Sequence, residues 1–259
     1  MKSSQTPLVF AVLALSLGSC KMSEPPKVSA QGQVVTQYIW RGVPMSARPA
    51  AQGSLTTNFE AKDDDRLRIT SWGSMSLTAG NGDALFGDSE IFDLDESRII
   101  ADYSHSLDHA MLKNFHFGVI NYNYSALGGS TREIYAGTSW TYKELSPSVM
   151  LYWDIDERDG MYLNGAVEST FDFNEDVPGY WKVGLGFGTS RFNRNLYGDP
   201  DAGFADLTAE LGATKELNKN TQARGFAAVS NLFVDDAALD AASIETLNFW
   251  IGVGMNWSF

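Results

Sequence analysis

The sequence predicts an all-β chain, a single antiparallel transmembrane β-barrel of about twelve strands. Three observations carry that expectation. Beyond residue 20 no apolar run approaches the roughly twenty residues that a membrane helix requires. Segments of about nine to twelve residues instead alternate apolar and polar side chains, with clusters of Gly, Asp, Asn and Pro between them. The last segment alternates without a break and ends on Phe259.

The elements follow in order. Residues 1–19 read as a signal peptide: Lys2 supplies a positive charge, and Leu8 to Leu17 is an apolar run too short to span a bilayer. Leu17-Gly18-Ser19-Cys20 has the pattern of a bacterial lipobox, so Cys20 is the candidate lipidation site. A plain cleavable signal is the competing reading, with Val28-Ser29-Ala30 as its small-x-small site. Residues 20–31 are expected to be a polar tether, and 32–259 the outer-membrane barrel.

The expected strands are 33–41, 51–60, 66–77, 97–106, 114–124, 131–141, 147–155, 161–171, 180–190, 204–215, 221–231 and 247–259. The last is the clearest. Leu247, Phe249, Ile251, Val253, Met255, Trp257 and Phe259 share one face, and Asn248, Trp250, Gly252, Gly254, Asn256 and Ser258 the other. Such an apolar face suits lipid, and a terminal Phe suits the assembly machinery of outer-membrane barrels. Trp181, Val183, Leu185 and Phe187 alternate in the same way with Lys182, Gly184, Gly186 and Gly188. Segment 114–124 leaves two faces open, Phe115, Phe117 and Val119 against Ile120, Tyr122 and Tyr124. The longest connections, 78–96, 191–203 and 232–246, all join odd to even strands, which places them outside the cell if both termini are periplasmic. Tyr38, Trp40, Trp140, Tyr142, Trp153, Tyr180, Trp181 and Trp257 fall near strand ends, where aromatic girdles are expected.

Tyr38-Ile39-Trp40-Arg41-Gly42, followed by Pro49, Ala51, Gln52 and Gly53, resembles the opening of the TorF-type porins. Glu133-Ile134-Tyr135-Ala136-Gly137, and Leu145 to Asp154 followed by Gly160-Met161-Tyr162-Leu163, resemble later hairpins of the same barrels. The resemblance implies a small outer-membrane barrel with a channel role. It names no solute.

Alternation places Arg41, Arg66, Arg68, Arg98, Asp102, Glu133, Asp154, Glu168, Lys182, Asp206, Glu210 and Arg224 on the inner face as candidate lumen-lining charges. Two readings stand: a narrow pore whose opposed charges orient solutes, or a salt-bridged plug that stabilises the barrel. Arg41 itself either lines a constriction at the outer end of the first strand or caps the first hairpin. The loop acids, including Asp83, Asp88, Glu90, Asp93, Asp95, Glu96, Asp235, Asp236, Asp240 and Glu245, read as a solvated surface.

Composition excludes several function classes. A net charge of −13 argues against nucleic acid as a partner. One cysteine forms no internal disulfide and no cysteine-based zinc site. The histidines are three: His105, His109 and His116. Ser104-His105-Ser106 with Asp102 superficially matches a hydrolytic triad, but on a strand His105 points away from the other three. No enzyme, cofactor or metal is expected. The expected partners are outer-membrane lipid, the barrel-assembly machinery reached through Phe259, and small solutes.

Overall fold

The computed structural model describes residues 25–60, 65–79, 90–107, 114–125, 129–157, 159–174, 176–234 and 245–259. Cys20, the signal peptide, Asp83, Asp88, Asp235, Asp236 and Asp240 lie outside the described residues.

The described chain forms β1 (Lys27–Val35), β2 (Tyr38–Trp40), β3 (Val43–Ser46), β4 (Ala50–Glu60), β5 (Asp65–Ser76), β6 (Leu94–Ser106) and β7 (Asn114–Tyr124). It continues through β8 (Gly129–Ser139), β9 (Leu145–Asp154), β10 (Met161–Asn174), β11 (Val177–Gly188), the helix α1 (Ser190–Tyr197), β12 (Gly203–Asn218), β13 (Thr221–Leu232) and β14 (Leu247–Ser258). Twelve strands close on themselves, each antiparallel to the next, and β1 seals the ring by pairing with both β14 and β4. Closure satisfies the backbone groups that an open sheet edge would strand in lipid. No described helix is long and apolar enough to cross a membrane.

The two faces of the wall differ as lipid and water demand. Leu55, Ile69, Ile99, Phe117, Leu151, Leu163, Val183, Leu211 and Ile251 are all exposed on the outer face. An apolar surface of this extent is a membrane surface, because soluble monomers expose only small apolar patches. The inner face carries Gln52, Asp102, Glu133, Asp206, Ser230 and Asn248, all buried. In β7 the open choice resolves: Phe115 and Phe117 are exposed outward, whereas Ile120, Tyr122 and Tyr124 are buried inside.

Eleven of the expected strands coincide with barrel strands to within a few residues. The first does not. The barrel's first strand begins at Lys27, so residues 27–31, assigned to the tether, already lie in the wall. The chain leaves the wall after Val35 and folds Tyr38–Ser46 into a separate two-stranded sheet. Three strong strand formers at 38–40 continue the alternation of β1, which hides the break. The turn is Arg41-Gly42, with φ of 50° and 80°. Both residues are left-handed, as a tight two-residue hairpin turn requires.

A second correction concerns the acids before the fourth expected strand. β6 starts at Leu94, which places Asp95 and Glu96 on the strand and fully buried rather than in a solvated loop. Asp95 accepts from the Ser76 hydroxyl at 2.8 Å.

Candidate functional site

The hairpin β2–β3 turns into the barrel at the end that carries the long connections. Val43 and Met45 are fully buried there. Helix α1 closes over it from the 189–202 connection, burying Phe192, Leu196 and Tyr197, and ends at Gly198 in the left-handed conformation. Phe192 and Leu196 sit one turn apart, the spacing that puts both on one helix face. The Tyr197 hydroxyl donates to the Arg41 carbonyl at 2.9 Å. The Ser230 hydroxyl and Asn248 amide donate to the Gly42 carbonyl at 3.2 and 3.3 Å. Gly42 is required by space as well as by φ: a Cβ there would lie 2.6 Å from Asp206 Cβ and from Leu232 Cδ2.

Arg41, at the hairpin tip, forms the central contact. Its Nη1 and Nη2 donate to Glu133 Oε1 and Oε2 at 2.7 and 2.8 Å. This parallel, two-bond geometry is the strongest that guanidinium and carboxylate make. Both side chains are buried, 7% and 3% exposed. The guanidinium also lies 4.4–5.2 Å from the ring centroids of Trp40, Tyr152, Tyr162 and Phe192. Such cation–π contacts strengthen as water is removed. Burial opposes the charge on Arg41, but the attraction and hydrogen bonds of Glu133, with Tyr122 and Tyr162 beside it, together outweigh that cost, so its pKa lies above the ordinary arginine value. Glu133 Oε2 accepts a further bond from the Tyr122 hydroxyl at 2.8 Å.

A second cation stands beside the first. Arg98 pairs with Glu96, and Tyr38 of the hairpin bridges them, donating to Glu96 at 3.0 Å and accepting from Arg98. Arg98 lies 4.5 Å from the Trp72 ring centroid and 4.8 Å from that of Tyr122. Tyr38 and Trp40, expected in the aromatic girdle, therefore sit inside the barrel. Tyr180 also faces inward, donating to Glu210 at 2.8 Å and accepting from Arg224 at 2.7 Å.

The remaining candidate charges fall into three groups. Near the packed mouth, Asp154 accepts from the Thr131 hydroxyl at 2.9 and 2.7 Å, and Asp206 accepts from Tyr162 at 2.8 Å. Deeper in, Asp102 accepts from Tyr135 at 2.6 Å and pairs with Arg68 at 3.4 Å, and Arg224 pairs with Glu210. Toward the short-turn end the inner face opens to water: Arg66, Glu168 and Lys182 are exposed, and Thr56, Asn58, Gln222 and Asn256 half-exposed. His105 lies on the outer parity and contacts Asp65 at 2.5 Å, away from Asp102.

Sequence reasoning missed the side chains that fill the mouth: Glu96, Tyr122, Tyr152, Tyr162, Phe192 and Tyr197. A weak signal existed. Tyr135, Tyr152 and Tyr162 share the parity of the inward charges on their own strands, Glu133, Asp154 and Glu168, and tyrosine is the side chain that packs a ring and still partners a carboxylate.

A closed ring of antiparallel strands, apolar outside and polar inside, defines an outer-membrane β-barrel. Within that class the fold is that of the twelve-stranded porins and channels. The chain is similar to an outer-membrane channel from Pseudomonas putida F1, with 12% identity, a TM-score of 0.55, and 92% of this chain and 97% of that chain covered. It is similar also to the NanC porin, with 11% identity, a TM-score of 0.51, and 90% and 100% covered. At such identities the likeness is one of fold. No family model matches the sequence, and no curated protein matches it.

Proposed function

We propose that this chain is an outer-membrane porin for passive passage of small hydrophilic solutes, held narrow at its outer mouth by the β2–β3 hairpin. The observation that carries the reading is the polar, water-open inner face at the short-turn end of a closed twelve-stranded barrel. A barrel of this strand number exceeds the size that side chains alone fill, and here a hairpin and a helix occupy the outer half instead. The candidate charges then have distinct roles. Arg41 and Glu133 latch the hairpin, with Arg98, Asp154 and Asp206 around it. Arg68, Asp102, Glu168, Lys182, Glu210 and Arg224 line the path below. The resemblance of Tyr38 to Gly42 to the TorF-type opening supports the same assignment and identifies that opening with the hairpin. Phe259 is the contact offered to the assembly machinery, and Cys20 the lipid anchor. A mature N-terminus beginning beyond Cys20 in mass spectrometry refutes the anchor.

The packed mouth favours a second reading, a closed barrel that acts through its outer loops. Conductance of refolded protein in a planar bilayer under a salt gradient separates the two. Discrete openings are expected of the porin, with a reversal potential that reports ion preference. A barrel that migrates as folded yet never conducts, even at high voltage, overturns that assignment in favour of the second.

A further inference from the structure

A cavity of about 280 Å³ opens inside the barrel near the short-turn end, and its wall carries Asn114, Ser139, Trp140, Ser148, Glu168 and Lys182. Its volume lies just under the roughly 300 Å³ at which small-molecule pockets begin, so it suits a metabolite rather than a polymer. The charges in it are unusual for their position. Glu168 on β10 and Lys182 on β11 are direct register partners. Opposite charges so placed on neighbouring strands lie within easy reach of an ion pair. Yet neither makes a salt bridge or side-chain hydrogen bond among the described residues. Lys182 also stands opposite Glu210 on β12, but that carboxylate is taken by Arg224 and Tyr180. One cation and one carboxylate are therefore presented side by side and unspent, beside the Ser139 and Ser148 hydroxyls. Every other inward arginine pictured above, Arg66 excepted, holds a carboxylate of the protein itself.

We propose that this cavity is a solute-binding station for small zwitterions of the α-amino-acid type. The solute carboxylate meets the Lys182 ammonium, and its own ammonium meets the Glu168 carboxylate. Ser139, Ser148 and Asn114 provide hydrogen bonds for a polar side group. A simple anion gains Lys182 but is repelled by Glu168, and a simple cation the reverse, so the pair selects molecules that carry both charges. This deepens the porin reading by naming its solute class, and it rests on that reading for its role.

The test is calorimetric titration of L-glutamine into the folded barrel in detergent micelles, at low ionic strength because salt screens exposed charges. Saturable binding is expected, with no comparable heat from acetate or from methylammonium, each of which carries only one of the two charges. Lys182→Met and Glu168→Gln should each weaken binding by about fivefold, the most that one exposed ion pair supplies. The exchange Lys182→Glu with Glu168→Lys should restore most of the affinity, because a zwitterion binds the swapped pair turned around. A merely structural role for either residue does not produce that rescue. Absence of saturable heat from a barrel that shows heat-modifiable migration overturns the proposal, as does glucose binding equal to that of L-glutamine. No conduction is needed for this measurement. A silent bilayer therefore counts against the porin reading, and conduction without L-glutamine binding counts against this station alone.

Discussion

Glu133→Gln is the sharpest perturbation of the hairpin latch. It keeps the side chain's size and removes its charge. Arg41 then remains buried opposite a neutral amide, with at most one of its two bonds intact. Removing one partner of a buried ion pair costs about 3–5 kcal/mol. An isosteric amide that still accepts one bond places this case near about 3 kcal/mol. The cost falls on the seated hairpin, because an unseated Arg41 is solvated. At about 1.4 kcal/mol per decade, the ratio of seated to unseated hairpin falls by about a hundredfold. What still holds the hairpin is the bond from Tyr197 to the Arg41 carbonyl, those from Ser230 and Asn248 to the Gly42 carbonyl, the Tyr38 contacts with Glu96 and Arg98, and the burial of Val43 and Met45. Single-channel recording should show a large rise in open time at unchanged unitary ion preference. The set Arg41→Met, Glu133→Leu and Tyr122→Phe, which also removes the hydroxyl that donates to Glu133, should return the channel toward wild-type behaviour, since apolar replacement of a buried polar cluster is near neutral. Unchanged open time in Glu133→Gln, from protein that migrates as a folded barrel, refutes the latch.

Three other outcomes follow from the same geometry. Gly42→Val, strained at φ of 80° and crowded against Asp206 and Leu232, should unseat the hairpin as Glu133→Gln does while the barrel still shifts on heating in a gel. Ile251→Arg places a cation in mid-wall on the lipid face and should cost about 2–4 kcal/mol, read as lost heat-modifiable migration in denaturant, whereas Asn256→Arg on the inner face of the same strand should be tolerated. Phe259→Ala should leave the unfolding midpoint of refolded protein unchanged, because its side chain is 77% exposed, while lowering the amount assembled into membranes in cells. Equal membrane levels would remove Phe259 as an assembly contact.

The wall of the barrel was legible because lipid and water act on it with a period of two. In β14, Phe249, Ile251 and Val253 face lipid with Trp250 and Gly252 between them, and nothing else in the chain competes with that pattern. The inserted hairpin was not legible, for a physical reason. Tyr38, Ile39 and Trp40 have high β-propensity wherever they lie, so local pattern does not separate a strand in the wall from one folded inside it. The usual sign of such a turn is Asn-Gly or Asp-Gly, and here Arg41 takes the left-handed position instead. It is held there by bonds to β8 and to α1, contacts distant in sequence. Glu96 was hidden differently. It follows a run of acids that reads as loop, and its burial depends on Arg98 and Tyr38, one of them 58 residues away.

The most direct measurement compares two proteins in the same planar bilayer: the wild-type barrel, and a variant in which residues 36–46 are replaced by a short turn. Both are first shown to be folded by heat-modifiable migration. A porin narrowed by its own hairpin predicts brief, infrequent openings of the wild type and long, larger openings of the variant. Equal conductance in the two, or a variant as silent as a sealed membrane, would contradict it.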